Sequence, residues 1–277
     1  MLDEDVVLYE RRGAVAWVTL NRPRYRNAQN SAMLYALDGA FHRAAMDDEV
    51  RVIVLAGAGP CFSAGHDMGS PGQDLDVSYP RITMWPDHVA KPAIEGRLNR
   101  EAEVYLELCR RWRDLPKPTI AMVHGACVGG GLALAWVCDL IIASEDAFFA
   151  DPSVGQGGSG VEWFAHPFQM APRLAKEFLF LGERVDAIRA RELGMVNRVV
   201  PRAELEAATM EIAERIAAKP AFGLAIAKRN VNFAEDAMGL RQGLEHSFGW
   251  HQLVHAHREA LAGPPTAPPQ EPRPTAG

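Results

Sequence analysis

Residues 6–10 and 15–20 are short, mostly apolar runs of β-favouring residues, and Arg11-Arg12-Gly13 lies between them, so the chain is expected to open on a β-hairpin. Asn21-Arg22-Pro23 breaks the pattern. Asn30 or Ser31 can then cap a helix in which Leu34, Leu37, Phe41 and Ala45 share one face. Residues 52–55 form a compact apolar run, ended by Gly57-Ala58-Gly59-Pro60, and predict a buried strand. A hairpin, a helix and a buried strand in this order point to the α/β class.

Residues 69–97 show no period and carry Pro71, Pro80, Pro86 and Pro92; segments this long inside a compact domain are commonly functional. Tyr79, Met84 and Trp85 in that segment are expected to shape a pocket. Leu98, Ala102, Tyr105, Cys109 and Trp112 recur at helical spacing, and Pro116 and Pro118 end the helix they predict. A strand over 119–123, a glycine cluster, a helix through Ala133 and Trp136, and a strand over 139–143 follow. From residue 171 the period is helical, with a β-like interruption at 196–200. Residues 263–277 are rich in proline and poor in apolar residues, and are expected to be disordered. The pattern divides the chain into a core over 1–200, a helical region over 201–262 and the tail.

A hydrophobic content of 48% over 277 residues permits a sizeable core. The net charge of −6 argues against nucleic acid as the main partner. No apolar run reaches the ~18–20 residues of a membrane span; the longest, 129–144, is interrupted by Asp139, and the N-terminus lacks the apolar stretch of a secretory signal. No membrane partner is expected. Cys61, Cys109, Cys127 and Cys138 form no metal or CxxC pattern and are read as reduced thiols, which places the protein in the cytoplasm as an expectation.

Two segments carry the chemistry. Cys61-Phe62-Ser63-Ala64-Gly65-His66-Asp67-Met68 follows a predicted strand, and His124-Gly125-Ala126-Cys127-Val128-Gly129-Gly130-Gly131 lies between a strand and a helix. Glycines let backbone approach a ligand closely, and N–H groups at a helix start have no partner in the helix. Together the two turns can form an oxyanion hole, one donor from each. The triple glycine is neither a Walker loop nor a dinucleotide fingerprint, because neither spacing is present.

These segments, with Asn21-Arg22-Pro23, Cys138-Asp139, Leu181-Gly182-Glu183 and Glu192-Leu193-Gly194-Met195-Val196-Asn197, resemble the crotonase (enoyl-CoA hydratase/isomerase) family over roughly residues 5–262. The resemblance implies a spiral of β-β-α units and a C-terminal helical region that packs against neighbouring subunits, in a homotrimer or a hexamer made of two trimers. It implies an acyl-CoA thioester substrate, coenzyme A entering only as part of it, with no separate cofactor and no metal. By position, the backbone N–H groups of His66 and Gly130 would hold the thioester oxygen. Ala64, Gly65, Asp67, Met68 and Gly129 would line the CoA site, and Arg22, Arg24 and Arg26 are candidates for its phosphates. Proton removal beside a thioester, or addition to a conjugated one, puts negative charge on that oxygen; losing one preorganised donor costs on the order of 3 kcal/mol.

The sequence departs from the family where related hydratases carry two glutamates. The first position is Ala133 and the second, after Asp151-Pro152, is Ser153. Neither can replace a carboxylate in proton transfer. Glu162, between Val161 and Trp163-Phe164, is the first candidate acid/base, and burial beside aromatics is expected to raise its pKa. Asp151 is the second, with a capping role as its alternative. His251, His255 and His257 could suggest a metal, but no carboxylate ligand stands out in sequence. Three readings stay open: an enzyme acting through an enolate without the two-glutamate pair, a catalytically silent acyl-CoA-binding protein, and a CoA-thioester hydrolase or decarboxylase.

Overall fold

The computed structural model describes residues 5–262. β1 (Val7–Arg12) and β2 (Val15–Leu20) pair antiparallel, with Arg12 opposite Val15 across Gly13-Ala14, so the first strand runs past the expected end at Glu10. α1 (Ser31–Met46) is capped by Asn30, whose side chain accepts from Met33 N, and buries Leu34, Leu37, Phe41 and Ala44; Ala45 lies one residue off that stripe. β3 (Val52–Gly57) joins β2 in parallel. α2 (Ala93–Glu101), a π-helical turn (Ala102–Glu107) and α3 (Leu108–Arg113) make one helical run that starts before the expected Leu98.

Two short repeats follow. β4 (Thr119–Val123) turns at His124-Gly125 into β5 (Ala126–Val128) and then α4 (Gly130–Trp136). β6 (Leu140–Ser144) turns into β7 (Phe148–Ala150), then α5 (His166–Gln169) and α6 (Pro172–Leu181). β8 (Val185–Asp186), α7 (Ala187–Glu192) and β9 (Arg198–Val200) complete the sheets. The larger has the order β1-β2-β3-β4-β6-β9 and the smaller β5-β7-β8. The two repeats each give one strand to each sheet and then a helix, the β-β-α unit of the spiral.

The parallel part of the larger sheet is buried on both faces, which is why β3 reads as a continuous apolar run. Ile53, Leu55, Ala121 and Val123 face α1 and the main core. Val52, Val54, Ile120 and Ile142 face α8 (Leu205–Ala217) through Leu205 and Ala213. The region 201–262 is therefore not one unit: α8 covers the sheet, α9 (Ala221–Ala237) buries no residue, and α10 (Leu240–Ala262) returns Leu240, Leu244 and Phe248 to the main core. The tail expected to be disordered lies outside the described residues. Among the described residues no helix is long and apolar enough to cross a membrane, and all four cysteines are buried and free.

The irregular segment is held by two carboxylates. Asp74 accepts from Ser31 N and Ala32 N at 2.7 Å each, closing the start of α1, and Glu103 accepts from Ile82 N at 2.8 Å and from the Thr83 hydroxyl. Tyr79 stacks on Tyr35 with ring centroids 5.0 Å apart, Trp85 packs on the core, and Met84 is exposed. None of the three enters the cavity described below, contrary to expectation, because the aromatics serve to dock the segment; Gln73 and Leu75 line it instead.

Asn27 fixes the approach to the site. It is buried with φ 53°. Its amide donates to Ala58 O, Cys61 O and Phe62 O at 2.9–3.1 Å and its carbonyl accepts from Arg22 N at 2.9 Å. Asn27→Ala strips partners from four buried backbone groups, so chemical denaturation should show a loss of about 3 kcal/mol.

Candidate active site

Three turns lie side by side next to the smaller sheet. Gln29 N donates to Gly65 O at 2.8 Å and Asp67 N to Gln29 O at 3.0 Å, so the segment before α1 runs parallel to the one after Ser63. On its other flank Ser63 N donates to Ala126 O at 3.0 Å and Val128 N to Ser63 O at 3.1 Å. These bonds leave the N–H groups of His66 and Gly130 without an acceptor among the described residues. The approach depends on glycine. Gly65 has φ +98°, and a Cβ there would sit 2.7 Å from Val128 O and 3.2 Å from Gly130 N; one on Gly130 would sit 2.5 Å from the His66 ring.

A cavity of about 360 Å³ opens beside these N–H groups. Ala64, Gly65, His66, Asp67, Met68 and Gly129 all line it. Asp67 itself is buried and shapes the turn, accepting from Gly69 N and Ser70 N and pairing with Arg22 at 2.9 Å. Burial pushes its carboxyl up, but the bonds from Ser70 and Arg22 outweigh this and hold it below the usual range. Arg22 is buried, its charge met by Asp67 and its guanidinium also bonded to Ala28 O and Ser70, rather than offered to a phosphate. Arg24 and Arg26 are exposed on the same turn, where Arg26 O accepts from Ala64 N at 2.9 Å.

The opposite wall is acidic and basic. Glu162 is buried, with one carboxylate oxygen 2.8 Å from His66 Nε2 and the other 3.2 Å from His251 Nε2. Burial alone would raise its pKa, as expected from the sequence. The charge of His66 and the hydrogen bonds from both imidazoles reverse the sign and hold it well below the ordinary carboxylate value. The His66 ring lies on Tyr105, centroids 3.8 Å apart. Glu101 enters from the end of α2 and accepts from Gln252 Nε2 at 2.5 Å; burial and the neighbouring Glu162 push its carboxyl up.

Asp151 is placed differently from Glu162. It is fully buried and accepts from Val161 N at 3.1 Å, His166 Nε2 at 2.9 Å, and both the N–H and the hydroxyl of Ser153. It builds the loop that carries Glu162. Ala133 is buried within α4. His251 and His255 come together, Nε2 to Nε2 at 2.9 Å, while His257 is exposed. With Glu101 they bring three possible ligand atoms within 4.8 Å of one another. His251 Nδ1 bonds Gly160 O at 3.1 Å, the orientation that a metal-binding imidazole takes. A cation would have to displace the bonds among Glu162, His251 and His255.

Tyr105, Glu101 and the role of His251 were not anticipated. Tyr105 read as an ordinary core residue by its period. A carboxylate and an imidazole on buried helix faces, at Glu101 and His251, were the signals available.

With this geometry in hand, comparison with known proteins is direct. The sequence profile of the enoyl-CoA hydratase/isomerase family matches residues 10–79 and 95–264. The chain belongs to that family. Within it, the chain is 46% identical over 257 residues to EchA13 of Mycobacterium tuberculosis, which carries an enoyl-CoA hydratase name; the match spans 91% of this chain and 80% of that one. The crystal structure of a Mycobacterium smegmatis protein that carries an enoyl-CoA hydratase name is 43% identical with a TM-score of 0.84, covering 93% and 96% of the two chains. An enoyl-CoA hydratase/isomerase from Xanthobacter autotrophicus Py2 is 35% identical with a TM-score of 0.79, covering 90% and 87%. The stretch that the family profile skips, 80–94, falls inside the irregular segment docked by Asp74 and Glu103.

The cluster predicts a pH dependence of stability. Burial opposes the charge on His251, but Glu162 and Glu101 overcome it and lift its pKa from 6.5 to about 9. The contribution is complete below pH 6.5 and is lost as pH rises through 9. Wild-type stability should therefore fall more steeply between pH 7 and 10 than that of His251→Gln, by up to about 3 kcal/mol in calorimetry at each pH.

Proposed function

We propose that this family member binds an enoyl-CoA thioester and moves a proton along its acyl chain through an enolate, without two-glutamate hydration. The observation that carries this reading is a buried carboxylate, Glu162, bonded to the His66 ring in the same cavity as two unpartnered N–H groups, with no acid at Ala133 or Ser153. The thioester oxygen would accept from His66 N–H and Gly130 N–H. Glu162 would take a proton from C2 of a 3-enoyl thioester, which gives the dienolate, and return it at C4, so that the double bond moves from C3 to C2 with no water and no net proton change. His66 and His251 keep the carboxylate in place and absorb the change of charge.

Hydration is the second reading, because EchA13 and the Mycobacterium smegmatis structure carry hydratase names. Coenzyme A would run past Ala64, Gly65, Met68 and Gly129, with Arg24 and Arg26 free to meet its phosphates. A homotrimer or hexamer would cover α9, where Phe222, Val231, Phe233 and Met238 are exposed.

An assay of 3-enoyl-CoA isomerisation against crotonyl-CoA hydration tests the reading. Isomerisation should dominate, and Glu162→Gln should lower it by about 10²-fold or more. Rapid hydration of crotonyl-CoA by the wild-type protein would sink the proposal. Ala133→Glu with Ser153→Glu should raise hydration far more than either single change, because such groups act as a unit.

Gly130→Ala tests the oxyanion turn. Its methyl would collide with the His66 ring, which cannot retreat while it lies on Tyr105 and bonds Glu162. Turnover should fall by about 10²-fold, in line with loss of one donor. The preference for acyl-CoA over free CoA in calorimetry should fall with it.

A further inference from the structure

Among the described residues three guanidinium groups are buried, those of Arg22, Arg100 and Arg113. Arg22 pairs with Asp67 at 2.9 Å, and Arg113 with Glu235 at 2.8 Å and Asp236 at 3.2 Å. Arg100 makes no ion pair among the described residues. Its only partners are neutral hydroxyls: Nε and Nη2 donate to Ser31 Oγ at 3.2 and 3.0 Å, and Nη1 donates to Tyr105 OH at 3.2 Å. Asp74 and Glu101 act on it from farther off, and both are engaged elsewhere, Asp74 on the first N–H groups of α1 and Glu101 on Gln252. A guanidinium has five donors, so two of its N–H groups remain. A buried charge without a counter-charge is strongly unfavourable, and a fold retains one where something else brings the anion.

The position of Arg100 says what that anion is attached to. Arg100 lines the same cavity as the unpartnered N–H groups of His66 and Gly130. Tyr105 spans the distance between them: its ring lies on His66 and its hydroxyl accepts from Arg100. The cation therefore stands about one tyrosine side chain from the place where a thioester oxygen would sit. Arg258 also lines the cavity without a carboxylate partner among the described residues, but it is exposed, so water compensates its charge. Arg100 is buried and has no such access to water.

We propose that Arg100 receives the distal carboxylate of a short dicarboxylic acyl-CoA. The planar fork of two remaining N–H groups fits a carboxylate, and the acyl chain would run from the oxyanion turn past Tyr105 to reach it. The inference rests on the thioester reading above and adds the class of acyl group.

Calorimetry with the full-length protein tests it, using glutaryl-CoA, valeryl-CoA of the same chain length, and free CoA. Glutaryl-CoA should bind at least about tenfold tighter than valeryl-CoA, the gain expected of a charge-assisted bond in a dry site. That ratio should fall towards one in Arg100→Met and only in part in Arg100→Lys, which keeps the charge and loses the fork. Circular dichroism checks folding; if Arg100→Met does not fold, an unchanged ratio in Arg100→Lys counts against the proposal. Valeryl-CoA binding as tightly as glutaryl-CoA, with both tighter than free CoA, overturns the role of Arg100 and leaves the thioester reading standing. Neither thioester binding better than free CoA overturns the thioester reading, and the role of Arg100 falls with it. A ratio that survives in a folded Arg100→Met variant also overturns the assignment.

Discussion

Everything at the site depends on the backbone bonds that tie the segment at 63–67 to its neighbours on both sides. Gln29 holds it through Gly65 O and Asp67 N, and β5 holds it through Ser63 N and O. In a parallel pairing alternate residues on a strand bond to one neighbour, so His66, between Gly65 and Asp67, keeps its N–H free. The same logic ends at Gly130, which begins α4 and so has no residue behind it to accept its N–H. Two donors are thus presented by geometry that no single side chain creates. Side chains decide only whether the turns can come this close, which is why Gly65 and Gly130 matter and why buried Asn27 and the Arg22–Asp67 pair stand behind them.

The charged wall facing those donors obeys a different rule. Burial on its own makes a carboxyl neutral and an imidazole neutral, and for Glu101 and His255 it prevails: the first is pushed up, and the second, beside a cationic His251, is pushed down to about 4. Glu162 and His251 escape because each is the other's counter-charge. The result is one connected network, in which the charge at one member shifts the proton affinity of the next. An isolated buried glutamate could not respond in that way.

Much of this was legible in the sequence, and the limits have physical causes. The hairpin, α1 and the buried β3 followed from period and capping residues because each forms a self-contained pattern. The strands β5, β7 and β8 were missed, being two or three residues long and stabilised by neighbours rather than by their own propensity. The oxyanion turns were found because glycine at a close approach is a property of local chain. Glu162 was found, but its direction of pKa shift was not, since the histidines that set it lie 96 and 89 residues away on other elements. Asp151 could not be separated from Glu162 in sequence; only the fold shows its oxygens occupied by His166, Val161 and Ser153. The C-terminal helices were assigned together by period, yet α10 supplies His251 and His255 to the cavity of its own chain while α9 buries nothing.

The two departures from the family pattern, Ala133 and Ser153, belong with this charged wall. An acid at Ala133 would come from α4, the element that also supplies Gly130, and one at Ser153 from the loop pinned by Asp151. Ser153 lines the cavity together with Gly130, while Ala133 is buried within α4. The acids that are present come instead from α2 and from residue 162, and the bases from His66 and α10. The donors are main-chain atoms and do not depend on the identity of their neighbours. A fold that fixes charge stabilisation in its backbone leaves its side chains open to change, and here the same cavity carries Arg100, a buried guanidinium with no ion pair among the described residues.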